Sequence, residues 1–265
     1  MTGNLSLERG LAVLDVMRDA NEALGVREIA RRLELSAPAV QRIVNTLAQQ
    51  GYVEQAPDSR RYRLGHAVLA LAQHALAKDR LAALAKPELD LLAGQGCFNA
   101  FLGVRRGSTG VYVLTVQSRS PVVIRSSPGG GFSLHSTAMG KALLMGVGEG
   151  QLVDILGNGP FERLTPRTVT DPSKLIEQIH LAEKIGYATS IDENFAGLLA
   201  VGAPLRDVSG FVIGAISIAY PRSVGPKVEV AEAGELILAS AARISASLGF
   251  RGQPKEKGEG PCDAA

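Results

Sequence analysis

The chain has 265 residues, of which 46 % are hydrophobic and 20 % charged. This composition excludes a disordered chain and leaves room for two ordinary domains, each with its own core. A formal net charge of only +2 means that any affinity for nucleic acid must come from a local basic patch.

No apolar run reaches the roughly 18 residues of a spanning helix, and the first residues, Met1 to Ser6, show no basic-then-apolar leader. Cys97 and Cys262 lie far apart, and the four histidines have no paired His/Cys spacing, so neither a disulfide framework nor a zinc cluster is expected. The expectation is a cytoplasmic protein with no membrane contact, no metal and no cofactor.

Ser6 as a cap and Leu7, Leu11, Leu14 and Met17 along one stripe predict a first helix. Val26, Ile29, Ala30 and Leu33 repeat the i, i+3, i+4, i+7 spacing on a short second helix. Glu34-Leu35-Ser36 is the length of link that joins the two helices of a helix-turn-helix. In the next stretch, Leu35 to Leu47, the residues Val40, Ile43, Val44 and Leu47 form an apolar stripe, with Ser36 at the N-cap position and Pro38 in the first turn. The opposite face carries Pro38, Gln41, Arg42, Asn45 and Gln49; Gln, Arg and Asn are side chains that read base edges in the major groove. Gly51 ends this helix. Tyr52–Gln55 and Arg61–Leu64 then read as a hairpin around the turn Ala56-Pro-Asp-Ser-Arg60.

Helix, turn, helix and basic hairpin in this order make a winged helix-turn-helix. From Gly25 to Gly65 seven arginines stand against four acidic residues, a local excess of three, and Arg suits bidentate phosphate contact. The positions expected to face DNA are Ser36, Ala37, Gln41, Arg42 and Asn45, with Arg60 and Arg61 from the wing.

After Gly65 the Ala- and Leu-rich run from His66 to Ala77 predicts a linker helix. A further helix is expected from Arg80 to Ala93, kinked at Pro87. From Phe98 the texture becomes β-branched and turn-punctuated. Strands are expected over 98–104, 111–117 and 122–125, and again over 187–191, 199–206 and 211–220, with helices over 135–145, 151–156, 172–185 and 229–248. That order predicts an α+β domain with helices covering one sheet face. The expected division is 1–65 for the winged helix, 66–80 for the linker, 81–250 for the second domain and 251–265 for a Gly/Pro-rich disordered tail.

These residues carry a resemblance over nearly the whole chain. Leu7 to Leu14, the helix-turn-helix, Gly51-Tyr-Val-Glu54 and Arg61 to Gly65 resemble the DNA-binding half of IclR-family transcriptional regulators. Leu134-His-Ser-Thr-Ala-Met-Gly-Lys-Ala-Leu-Leu144, Leu164 to Asp171, Gly186-Tyr-Ala188 with Asp192-Glu-Asn194, Gly197 through Ala203-Pro204, Asp207 to Gly210 and Ala241 to Ser245 resemble the effector half.

The resemblance implies a GAF-like domain that binds a small metabolite, usually a carboxylic or aromatic acid. It also implies homodimers or homotetramers on double-stranded operator DNA that control catabolic operons. Carried over residue by residue, the effector-binding positions are Ala138 and Met139 at a helix start, Ser190, Ala200, Ser217 and Ala219. Ser190, Ala200 and Ala219 stand where the family more often has Asp, Cys and Ser. The site is therefore expected to be less polar and roomier, suited to an aromatic or larger acid or amide.

Competing readings are weaker. His135 beside Ser136, with Lys141 nearby, suggests a hydrolase, but sequence neighbours rarely form an oriented nucleophile and base, and no Gly-x-Ser-x-Gly elbow is present. No catalytic residue is expected; His135 reads as a capping or packing residue and Cys97 as a small buried hydrophobe. Gly129-Gly-Gly131 lacks the Lys-Ser/Thr of a phosphate loop and reads as a flexible turn at the entrance to the sensing site. The alternative function is a GAF-type metabolite sensor acting through protein partners.

Overall fold

The computed structural model describes residues 3–252 except Asn21, Asp58, Cys97, 119–123 and Arg125. The expected strand over 122–125, the burial of Cys97, Asp58 of the wing turn and the tail from position 253 lie outside the described residues. The chain divides into two compact units, Met1–Asp79 and Arg80–Ala265.

The first unit contains α1 (Leu5–Arg18), β1 (Leu24–Gly25), α2 (Val26–Arg32), α3 (Ala37–Gln49), β2 (Val53–Gln55), β3 (Arg61–Leu64) and α4 (His66–Ala77). Its three short strands pair in the order β1-β3-β2, so the wing gains a third strand that two residues of β propensity could not announce. The core joins Val13 and Met17 of α1, Ile29 and Ala30 of α2, Val40 and Val44 of α3, Leu24 and Val53. Burial of each Val, Leu, Ile or Met side chain among these contributes about 1.5–3 kcal/mol.

Two details of α1 differ from expectation. Its cap is Asn4, whose side chain accepts from the backbone N–H of Ser6 and Leu7 at 3.1 and 3.2 Å. Its core face is Val13 and Met17, while Leu7 and Leu11 are exposed at 60 % and 54 %. The 3.6-residue period fits more than one stripe here, and packing selects the one with the β-branched residue.

The second unit contains α5 (Arg80–Gly96), β4 (Asn99–Arg106), β5 (Thr109–Val116), β6 (Gly131–Phe132), α6 (Ala138–Leu143), α7 (Glu149–Leu156), α8 (Pro172–Ile185), β7 (Ala188–Ile191), β8 (Leu198–Arg206), β9 (Val212–Pro221) and α9 (Val230–Ser247). The six strands form one antiparallel sheet in the order β6-β5-β4-β9-β8-β7.

Side chains alternate across it. Ile216, Ile218 and Tyr220 of β9 join Leu81, Leu89 and Leu92 of α5 and Ile237 and Ile244 of α9 on one face. Ala215 and Ala219 join Leu143, Leu152, Leu175 and Ile179 of α6, α7 and α8 on the other. Helices therefore cover both faces, where one covered face was expected; two separate helix groups, each with its own apolar stripe, require two surfaces to bury them.

The helix expected from His135 starts instead at Ala138. Thr137 is its N-cap, accepting from Gly140 N at 3.0 Å while donating to Ser133 O at 2.6 Å. Gly202 of β8 lets this helix start lie directly on the sheet, because a Cβ there would meet the carbonyl carbon of Ala138 at 2.8 Å.

Candidate functional site

Two regions concentrate functional side chains, one in each unit. In the first, burial of Val40 and Val44 fixes the rotation of α3 about its axis. Arg42 and Asn45 are then exposed and Gln41 half-buried. Gln41 Nε2 donates to Asn45 Oδ1 at 2.8 Å, which orients both amides across adjacent turns, and the Arg42 guanidinium makes no hydrogen bond or ion pair among the described residues. Ser36, exposed, is the N-cap by position, but among the described residues its hydroxyl makes no capping bond; Pro38 has no N–H and Ala39 N donates to Ser36 O at 3.0 Å, so the Ala37 N–H is the one left without a partner at the positive end of the helix. The link before it is strained: Glu34 has φ +54°, in the left-handed region.

The wing arginines have different surroundings. Arg60 is exposed and makes no side-chain bond among the described residues. Arg61 Nη1 donates to Ala23 O at 2.8 Å and lies 3.8 Å from Glu28. Arg63 is paired with Glu54 at 2.7 Å. Arg60 is thus the wing cation with an uncommitted guanidinium, and Arg61 is partly committed to its own module.

In the second unit a cavity of about 430 Å3 lies between α6 and the sheet. All six carried-over positions, Ala138, Met139, Ser190, Ala200, Ser217 and Ala219, line it. Sheet register brings four of them together: Ser190 pairs with Ala200 and Ala200 with Ala219 in one row, and Gly202, Ser217 and Phe101 form the next. A slip of one residue in either pairing would send these side chains to the other face.

The hydroxyls differ in what they are already doing. Ser190 Oγ donates to Ser136 O at 2.7 Å, whereas Ser217 Oγ has, among the described residues, only the thioether of Met139 at 3.7 Å. The N–H groups of Ala138 and Met139 precede the Thr137-capped turn and have no partner among the described residues.

Several lining residues were not singled out from sequence. Phe101, Tyr112 and Phe132 form an aromatic wall, with ring centroids 5.6 and 4.7 Å apart in succession. Burial pushes the Tyr112 phenol above its ordinary pKa. Ser126 Oγ is buried against the cavity and has no hydrogen-bond partner among the described residues. Asn194 also lines the cavity and accepts from Ser136 Oγ at 3.0 Å. Of the Gly129-Gly-Gly131 run expected as a flexible turn at the entrance to the sensing site, Gly129 lies in a turn at φ +83°, Gly130 and Gly131 line the cavity, and Gly131 is already part of β6, paired with Val111. For Phe101, Tyr112 and Phe132 only the β-branched and aromatic runs around them hinted at a role, and they read equally well as core.

Comparison with known proteins decides what carries these sites. Residues 6–57 match the IclR helix-turn-helix domain, and residues 73–246 match the bacterial transcriptional regulator IclR C-terminal domain. The chain belongs to the IclR family.

Among IclR relatives, the HTH-type transcriptional regulator XynR of Escherichia coli K12 is 26 % identical over 92 % of this chain and 97 % of its own. The HTH-type transcriptional repressor AllR of the same strain is 27 % identical over 95 % and 93 %. The crystal structure of an IclR transcriptional regulator from Alicyclobacillus acidocaldarius has a TM-score of 0.83 at 27 % identity, covering 92 % of this chain and 99 % of that one.

The IclR family is one of DNA-binding transcriptional regulators, not enzymes. The geometry around His135 agrees. Its Nδ1 contacts Ser133 Oγ at 2.8 Å, its Nε2 contacts Glu162 O at 3.0 Å, and its ring stacks on Phe161 at 5.0 Å. Ser136 is fully buried and donates to Asn194. Lys141 is taken up by Glu193. The three residues of the hydrolase reading thus have three separate structural partners.

Proposed function

We propose that this IclR-family regulator controls a catabolic operon by reading operator DNA with α3 and the wing, and that a small aromatic or carboxylic metabolite seated in the cavity of the second unit sets its response. The observation that carries this reading is the convergence of Ala138, Met139, Ser190, Ala200, Ser217 and Ala219 on one cavity with an aromatic wall. Its volume of about 430 Å3 falls in the range of small-molecule sites, roughly 300–1,000 Å3.

The rings of Phe101, Tyr112 and Phe132 suit an aromatic ligand, offset or edge-on, and Ala200 and Ala219 leave it room. Ser217 and Ser126 offer hydroxyls with little or no internal commitment, and the first N–H groups of α6 suit a carboxylate or carbonyl end.

On the DNA side, Gln41, Arg42 and Asn45 are the base-reading candidates. Ser36, the N–H of Ala37 and Arg60 suit phosphate, and Arg61 contributes less because of its bond to Ala23. A single winged helix reads one half-site, so the operator complex contains a homodimer or homotetramer. Leu5, Leu7 and Leu11 of α1 and Leu69 and Leu71 of the linker helix α4 are 54–60 % exposed, and they supply apolar surface for such an interface.

Calorimetric titration of the full-length protein with a panel of benzoic, hydroxybenzoic and aliphatic carboxylic acids tests the ligand. DNase footprinting of the DNA upstream of the neighbouring gene, with and without the ligand that binds, tests the response. The expected result is a footprint of two half-sites that changes with one aromatic acid. A footprint unaffected by every acid in the panel would overturn the proposal.

A further inference from the structure

Among the described residues, Lys141 and Glu193 are the two charged side chains that are buried, with side chains 2 % and 9 % exposed. Lys141 Nζ lies 2.7 Å from each Glu193 oxygen and donates to Thr189 O at 3.0 Å, so each of its three protons has an acceptor. Burial pushes the Lys141 ammonium below its ordinary pKa and the Glu193 carboxyl above its own; their mutual attraction opposes both shifts. Removing two charges from water costs several kcal/mol each, and a well-packed apolar pair in the same space is often as stable or more so. Stability alone therefore does not account for an ion pair here. Its position does.

Lys141 projects from α6, whose first residues Ala138 and Met139 form one wall of the cavity. Glu193 belongs to the link between β7 and β8, where the next two residues, Asn194 and Phe195, also line the cavity. The same link is held at its base by the Thr165 and Thr168 hydroxyls. Thr168 Oγ1 donates to Glu193 O at 2.6 Å and Thr165 Oγ1 to Asp192 O at 2.5 Å. Asp192, at φ +60°, accepts from Gly197 N at 2.7 Å and from Arg222 at 2.9 Å. These bonds tie the link to the segment before α8 and to the end of β9; Ser136 Oγ, donating to Asn194 Oδ1, ties it to the residue ahead of the α6 cap, and Lys141–Glu193 is the ion pair that ties it to the body of α6.

We propose that Lys141 and Glu193 are positioning residues of the effector cavity. They lock the segment bearing Asn194 and Phe195 to the helix bearing Ala138 and Met139, and so hold these two parts of the cavity lining in fixed relation. This inference rests on the reading of the cavity as the effector site.

The test is the double variant Lys141→Met/Glu193→Leu in the full-length protein, beside Arg243→Ala, which breaks an exposed pair elsewhere in the same unit. Three quantities are measured: melting temperature, ligand-free hydrogen exchange of the peptide 192–198, and affinity for whichever aromatic acid of the panel binds wild type. The double variant is expected to melt close to wild type, to exchange at 192–198 at least about tenfold faster, and to bind the acid at least about tenfold more weakly. Arg243→Ala leaves exchange at 192–198 and the affinity unchanged.

A folded double variant with wild-type exchange at 192–198 overturns the positioning role, whatever the ligand result. So does faster exchange with unchanged affinity. If no acid binds wild type, the effector reading fails separately and the exchange rate still decides the positioning role. Should the double variant fail to fold, Lys141→Met/Glu193→Gln replaces it with the same expected and overturning results.

Discussion

The polar face of α3 and the cavity of the second unit are built in opposite ways. On α3 the candidate contacts Gln41, Arg42 and Asn45 lie on consecutive turns of one helix, and burying Val40 and Val44 is enough to aim them outward. The cavity takes its lining from β4, β5, β6, α6, β7, β8 and β9 and from the links between them, and it exists only when the sheet register is correct. A surface on one element is specified by local sequence. A cavity assembled from many segments is specified by pairing between residues far apart, so it responds to changes that never touch a ligand.

The sharpest way to break the comparison is at the buried side of α3. Val44→Asp places an unpaired charge where the wild-type side chain is fully buried, and the first unit is expected to lose about 4 kcal/mol or more, enough to unfold it. Circular dichroism should then show loss of one melting transition, with the transition of the second unit retained and operator binding abolished. Arg42→Ala touches only the exposed face. It is expected to leave melting unchanged and to cost about 1–3 kcal/mol of operator affinity in fluorescence anisotropy.

Much of the first unit was legible in the sequence for the reason just given. The helical period, Pro38 in a first turn and Gly51 at φ +75° are local signals, and α3 lies where they put it. The same holds for α8, bounded by the Asp171 cap and by Gly186 at φ +91°, and for α4. The two-residue strands β1 and β6 were not legible, because pairing partners and not propensity create them.

In the second unit the six carried-over positions came from resemblance and not from spacing. Tyr112, Phe132 and Ser126 read as ordinary strand or loop. Lys141 invited a catalytic reading because its partner Glu193 lies 52 residues away, a distance that no local pattern reports.

Smaller effects separate the two wing arginines. Arg60→Ala is expected to lower the slope of log affinity against log salt by about one unit, the value for one lost phosphate contact. Arg61→Ala should lower it less and instead lower the melting temperature, because Arg61 already holds Ala23 O. A larger change in slope for Arg61→Ala would reverse the assignment. Smallest of all, Glu34→Gly relieves a left-handed backbone in the helix-turn-helix link and should stabilise the first unit by about 0.5–1 kcal/mol in chemical denaturation, with operator affinity unchanged.

The central claim is that occupancy of the cavity governs DNA binding from a separate unit. A ligand shifts such an equilibrium only by its difference in affinity between the two states, so blocking its seat must remove the response and nothing else. Ala200 pairs with Ser190 and Ala219 and lines the cavity. The direct measurement is operator binding by Ala200→Phe and wild type, titrated with the aromatic acid that wild type recognises. Equal operator affinity without ligand is expected, with a ligand-dependent change in wild type only. A wild-type ligand response in a folded Ala200→Phe protein would contradict it.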